Sequence, residues 1–234
     1  MTQAALGGPP GFGGQEQGFG FHENGNRVWA GKMLRGNTVA QTSGDVVFVG
    51  DHHVPYIAFF YEQTQSLEVP VTVNLDERPL VANFALHPVM AGSTNFGRIL
   101  TFRKGSTDGL RVENRLSTNS ASLYVPGRNA YFSHGGALLD AHEWFVYTLI
   151  ADKQSGTVRL YINGKASSLG GTGAPTFSDV DRVVCLPNCT YYLNLGMPSL
   201  GIPLLDNAIP EETEIVARHT VWLNALNEAT LPTE

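Results

Sequence analysis

The chain of 234 residues carries 21 acidic and 15 basic side chains, a formal charge of −6, and is 42% hydrophobic but only 15% charged. Its 26 glycines and 13 prolines, and its lack of long Ala/Glu/Lys/Leu runs, exclude a mainly helical protein. Arg27, Lys32, Arg98, Lys104 and Arg182 are scattered in sequence, so the basic footprint of a nucleic-acid binder is missing, and no stretch approaches the ~18 apolar residues of a membrane span.

Residues 1–26 form an arm in which Gly7, Gly8, Gly11, Gly13, Gly14, Gly18 and Gly20 alternate with Pro9, Pro10, Phe12, Phe19 and Phe21. Its opening residues have neither the basic nor the apolar region of a signal peptide. So glycine-rich a segment cannot offset its own ordering entropy. Ordering it calls for burial of Leu6, Phe12, Phe19 and Phe21, and the expectation is that these four insert into another subunit of an assembly.

Residues 27–234 are expected to form one all-β domain, a two-sheet antiparallel sandwich. In chain order the candidate strands are 45–50, 55–62, 66–74, 80–86, 96–104, 109–114, 121–126, 129–133, 144–152, 157–163, 181–185, 190–196 and 214–224. Each is rich in Val, Ile, Tyr, Phe or Thr and is bounded by turn residues. Val158, Leu160 and Ile162 alternate with Arg159, Tyr161 and Asn163, which predicts one core face and one partly wet face. The run 144–152 is apolar on both faces and is expected to be central, with its second face covered. A long Gly/Ser loop spans 164–180, and one turn of helix is expected at 224–230, capped by Asn224 and packing through Leu226.

The stretch EWFVYTLIADKQSGTVRLYINGKAS, residues 143–167, resembles the central hairpin of concanavalin A-like and laminin G-like jelly rolls. A Trp opens the strand, an acidic-Gly turn follows at Asp152–Gly156, and Tyr161-Ile162-Asn163-Gly164-Lys165 closes it. Asn163-Gly164 supplies the positive-φ pair of a tight hairpin. FGRILTF (96–102), YYLNLG (191–196) and EIVARHTVWLNALNEATL (214–231) are similar to further parts of that family, in order, over about residues 60–232. The resemblance implies a jelly roll with Trp144 buried between the sheets. The fold hosts lectins, adhesion modules, glucanases and viral structural domains, so function must be argued from sites.

Catalytic constellations are missing from the sequence. Glucanases of this fold carry Glu-x-Asp-x-x-Glu on one strand, which sets two carboxyls about 5 Å apart. Asp76-Glu77, Glu211-Glu212-x-Glu214 and Asp179-x-Asp181 fall in turns or loop ends, and Glu113 stands alone. Asp51-His52-His53 is the densest metal-like grouping, but adjacent histidines on a strand point to opposite sides. Cys185 and Cys189 can close a small disulfide loop or remain two reduced thiols. No cofactor is required by any motif. The resemblance makes a rim calcium site conceivable at Asp206, Asn207 and Asp108, which are otherwise ordinary turn residues. Sugar-stacking candidates are Tyr131 beside Asn129, and Tyr191 with Tyr192.

The expectation is a non-enzymatic component of a larger particle, such as a capsid or tail decoration in a virion. Its arm would bind other subunits. The alternative is a carbohydrate-binding or adhesion module, extracellular or at a cell surface, whose partners are glycans.

Overall fold

Alternating apolar runs pair into two antiparallel sheets, as the period-2 pattern demands. The structure is a computed structural model describing residues 19–21, 27–30, 39–43, 47–50, 55–59, 66–90, 97–115, 120–128, 130–133, 143–167, 172–187 and 189–228. Leu6, Phe12, His52, His53 and Asn129 therefore lie outside the described residues.

The strands are β1 (Phe19–Phe21), β2 (Arg27–Ala30), β3 (Val39–Ser43), β4 (Val47–Gly50), β5 (Pro55–Phe59) and β6 (Ser66–Val73). Then come β7 (Leu80–Met90), β8 (Gly97–Lys104), β9 (Thr107–Arg115), β10 (Ser120–Val125), β11 (Ala130–Ser133) and β12 (Phe145–Asp152). The series ends with β13 (Thr157–Ile162), β14 (Lys165–Ser167), β15 (Val180–Cys185), β16 (Thr190–Asn194), a 3-10 turn at Pro198–Leu200, β17 (Leu205–Asp206) and the α-helix α1 (Glu212–Glu228). Among the described residues, one sheet runs β1-β2-β3-β6-β15-β8-β9-β10-β11. The other runs β14-β13-β12-β7-β16-β5-β4, with β17 also on β7.

Residues 19–21 of the arm belong to the chain's own sheet, because Phe19 pairs with Trp29 and Phe21 with Arg27. β16 and β17 share one edge of β7. β16 leaves it at Asn194↔Ala85 and the chain returns at Leu205↔Ala82. The intervening loop is closed by a Met197–Ile202 bridge and by the Asn83 N–H to the Leu204 carbonyl at 2.8 Å. Gly196 permits this fold-back, since its φ is +74° and a Cβ there would sit 2.5 Å from the Leu204 nitrogen.

Between the sheets, Ile57, Phe84 and Leu149 of the eight-stranded sheet meet Val69, Phe102 and Val183 of the nine-stranded one. Tyr147 stacks on Phe84, and Tyr191 on Phe59. Cys185 and Cys189 are free thiols in this core, and burial pushes both thiol pKa values upward. The 143–167 hairpin forms as its residues predict. Asp152 accepts from the Gln154 N–H at 3.0 Å, and Asn163 (φ 49°) with Gly164 (φ 78°) turns β13 into β14.

Three expectations are corrected. Residues 214–224 are not a strand, and Asn224 caps nothing. They lie within α1, whose first turn carries Glu212 and Glu214, favourable at a helix N-terminus. Ile215, His219, Trp222 and Leu226 fall on one stripe and bury against the outer face of the eight-stranded sheet. Leu226 does pack back onto the sheet as expected. Trp144 is buried, at 3% exposure, but under α1 and not between the sheets. Side chains alternate along β12, so Phe145, Tyr147 and Leu149 point into the sandwich while Trp144, Val146 and Ile150 point to the helix side.

Trp144 sits edge-on to Tyr56 and His87. Trp144→Ala is therefore expected to lower unfolding free energy by about 3–5 kcal/mol in urea titration. Faster amide exchange should appear first in α1, and a loss confined to the inter-sheet strands would contradict the placement.

Candidate functional site

Two polar constellations stand out, one under α1 and one on the outer face of the nine-stranded sheet. The first is built because β7, β12 and α1 each contribute a polar side chain to an otherwise apolar layer. His219 is buried at 1% exposure; its Nδ1 accepts from the Gly164 N–H at 2.8 Å and its Nε2 is 2.8 Å from Thr148 Oγ1. The Thr148 hydroxyl is also 2.8 Å from Asn83 Oδ1. The Asn83 amide donates onward to the Pro203 carbonyl at 3.0 Å and to Asp206 Oδ2 at 2.8 Å. Arg218 closes the chain, at 2.7 Å from Asp206 and 2.6 Å from Glu214. Nearby, Trp222 Nε1 donates to Asn194 Oδ1 at 2.9 Å, and Asn163 Oδ1 accepts from the Val146 N–H. These bonds satisfy groups whose burial is otherwise costly.

The calcium candidates are placed apart. Asp206 is held by Asn83 and Arg218, while the Asn207 amide oxygen accepts from Arg78 Nη1 at 2.8 Å. Arg78 also donates to the Thr72 carbonyl and so ties the β6–β7 turn to β17. Asp108 lies on the other sheet, paired with Arg98 and, at 2.5 Å, with Arg103. Among the described residues, no group of three or more His, Cys, Asp or Glu side chains is arranged to hold a metal.

The sugar-stacking candidates also separate. Tyr191, 1% exposed, lies in the inter-sheet core with its hydroxyl donating to the Leu186 carbonyl at 2.9 Å. Tyr192, 6% exposed, packs against Tyr56 under α1. Neither ring presents a face to a ligand, which corrects the expectation for both. Alternation puts Tyr191 inward and Tyr192 outward, and the outer side is covered by a helix that was read as a strand. Tyr131 keeps its place in β11, in register with Tyr124.

That register leads to the second constellation, which the sequence did not reveal. Arg111, Tyr124 and Tyr131 are successive cross-strand partners on β9, β10 and β11, and the Arg111 guanidinium lies 3.9 Å from the Tyr124 ring centroid. Arg111 also pairs with Glu113, which shares its face of the strand. Arg98, Arg103 and Arg182, scattered in sequence, join the same sheet. Arg182 is paired with Asp181 at 2.9 Å and Glu68 at 3.4 Å. The Gly105 N–H, then Arg182, holds the Asp181 carboxyl below its usual pKa. The surface is rich in arginine yet charge-matched. The Arg111-x-Glu113 alternation was its sequence signal, but the neighbours come from other strands.

No family model and no curated protein sequence matches the chain. Solved structures do match in fold. The binding domain of botulinum neurotoxin DC in complex with rat synaptotagmin II aligns with a TM-score of 0.61 at 12% identity, over 88% of this chain and 51% of that one. The binding domain of Paraclostridial Mosquitocidal Protein 1 gives 0.59 at 10% identity, over 88% and 52%. A botulinum neurotoxin type C structure, titled for cell entry through two ganglioside molecules, gives 0.57 at 13% identity, over 88% and 50%. The chain thus spans about half the length of these solved chains, and such identities show the shared sandwich fold alone. Membership in the concanavalin A/laminin G family is not confirmed by these matches.

Asp206 serves as a structural acceptor in this arrangement. Asp206→Ala is expected to cost about 1–3 kcal/mol in chelator-treated protein, because Arg218 and Asn83 lose their shared partner. If the residue were instead a calcium ligand, the loss would show only in calcium-loaded samples, read as the shift in thermal midpoint.

Proposed function

We propose that the chain is a non-enzymatic recognition module that binds glycans through the outer face of its nine-stranded sheet. The observation that carries this reading is the Arg111 guanidinium lying over the Tyr124 ring, with Tyr131 at the paired backbone position on the next strand. Aromatic faces suit the apolar face of a pyranose, and a guanidinium fork suits hydroxyl or carboxylate oxygens. Support comes also from the fold, shared with toxin binding domains, one of them titled for ganglioside interaction. Since those chains are twice as long, the binding named for them belongs to the longer proteins, and the present chain must be assayed alone.

The competing expectation, a virion component anchored by its arm, draws no support from these neighbours. Pairing of Phe19–Phe21 with β2 gives part of the arm a place on its own domain.

On a glycan array the chain is expected to retain a restricted set of glycans. Arg111→Lys, which keeps a charge beside Glu113 but loses the planar fork, should weaken binding by about tenfold, or about 1.4 kcal/mol, as should Tyr131→Ser. The Arg111→Lys midpoint should fall modestly, because Glu113, its ion-pair partner, is buried, while that of Tyr131→Ser should stay close to the parent. An array with no retained glycan overturns the reading. Native material that sediments with a large particle, and is released by deleting residues 2–20, would establish the arm-anchored subunit instead.

A further inference from the structure

We propose that His219 is an acid-operated latch: neutral, it clasps α1 to the β13–β14 turn and β12; protonated, it releases the helix and bares the aromatic layer beneath.

The geometry fixes the neutral ring's tautomer. A backbone N–H can only donate, so Gly164 makes Nδ1 the acceptor, and the ring proton sits on Nε2 facing Thr148. The Thr148 hydroxyl accepts that proton's bond and sends its own to Asn83 Oδ1, leaving the Asn83 amide to donate to Pro203 and Asp206. Every group thus has one role, set by its neighbour. Protonation places a hydrogen on Nδ1 against the Gly164 N–H at a 2.8 Å separation, donor against donor. The turn that carries this N–H is held against β12 by Asn163 bonds to both the N–H and the carbonyl of Val146.

Among the described residues, no unpaired carboxylate faces the ring. On α1 the flanking charges are Arg218 and Glu214, and on β17 Asp206; Arg218 already pairs with both carboxylates. β12 presents Thr148, β7 Asn83 and the β13–β14 turn Asn163 and Gly164; β7 also carries a second buried histidine under the helix, His87, packed on Trp144 and Tyr192. Tyr161 of β13 lies beside Ile215 in the adjoining apolar cluster. Burial first, and Arg218 second, hold the imidazole pKa down from 6.5 to about 4. With the docked value below the undocked one, docking is at full strength above pH 6.5 and is lost as pH falls toward 4. That difference amounts to about a 300-fold change in the docking equilibrium. Release would uncover Trp144, Tyr56, Tyr192 and Ile202, which α1 covers through Trp222 and Leu226.

The test is amide hydrogen exchange on the full chain between pH 7.5 and 4, corrected for intrinsic rates. Protection of α1 should fall by about 150-fold at pH 4 while the central amides of β7 and β12 stay protected. An environment-sensitive dye should bind in the same window. His219→Gln, uncharged but able to donate and accept, should remove most of that pH dependence, and His87→Gln should leave it in place. Unchanged α1 protection down to pH 4, or an identical pH dependence in His219→Gln, overturns the latch. A ring titration of parent His219 by NMR needs no variant: a midpoint near 4 or below with α1 docked supports the proposal, and one near 6.5 overturns it.

Discussion

A β-sheet that is apolar on both faces needs two covers, and this requirement organises the molecule. β12 is buried along nearly its whole length, facing the partner sheet on one side and α1 on the other. The nine-stranded sheet supplies the first cover. The second is one helical stripe, Ile215, His219, Trp222 and Leu226, which removes Tyr56, Trp144, Val146 and Tyr192 from water. Each such side chain contributes roughly 1.5–3 kcal/mol when fully buried. The helix is therefore part of the domain's core.

Apolar burial is non-directional and sets only which stripe of α1 faces the sheet. The polar groups within the layer set its position along that sheet. Asn83, Thr148, Asn194 and His219 each find a partner on a different element, so sliding the helix by one turn would strand several buried donors and acceptors. Asp206 and Arg218 extend the same wiring to β17 and the loop that brings the chain back to β7. A site that looks like a candidate for ion binding in sequence is thus a joint between loop, sheet and helix.

The opposite sheet handles its outer face differently. It carries paired charges, Arg98 and Arg103 with Asp108, Arg111 with Glu113, and Arg182 with Asp181 and Glu68. Pairing orients the guanidinium groups without building a net positive field. A surface of this kind favours short-range recognition of polar ligands over long-range steering.

What the sequence by itself determined was local. Alternation of Val158, Leu160 and Ile162 with Arg159 and Tyr161 specified a strand with one core face, though Tyr161 on the face expected to be wet is buried beside Ile215 of α1. Asn163-Gly164 specified its turn, because pleat and positive φ are properties of a few consecutive residues. The doubly apolar run at 144–152 also announced a strand with both faces covered. Only the tertiary structure decided which cover each face received. Residues 212–228 hold enough β-branched side chains to pass for a strand, and their stripe is interrupted by His219, whose fitness for a buried position exists only once Thr148 and Gly164 are in place. Once that segment is a helix, Trp144 turns from an inter-sheet anchor into a helix contact and Tyr192 is closed to ligands. Arg111, Tyr124 and Tyr131 likewise become neighbours only through strand register, which depends on pairings between distant segments and is written in no single stretch of the chain.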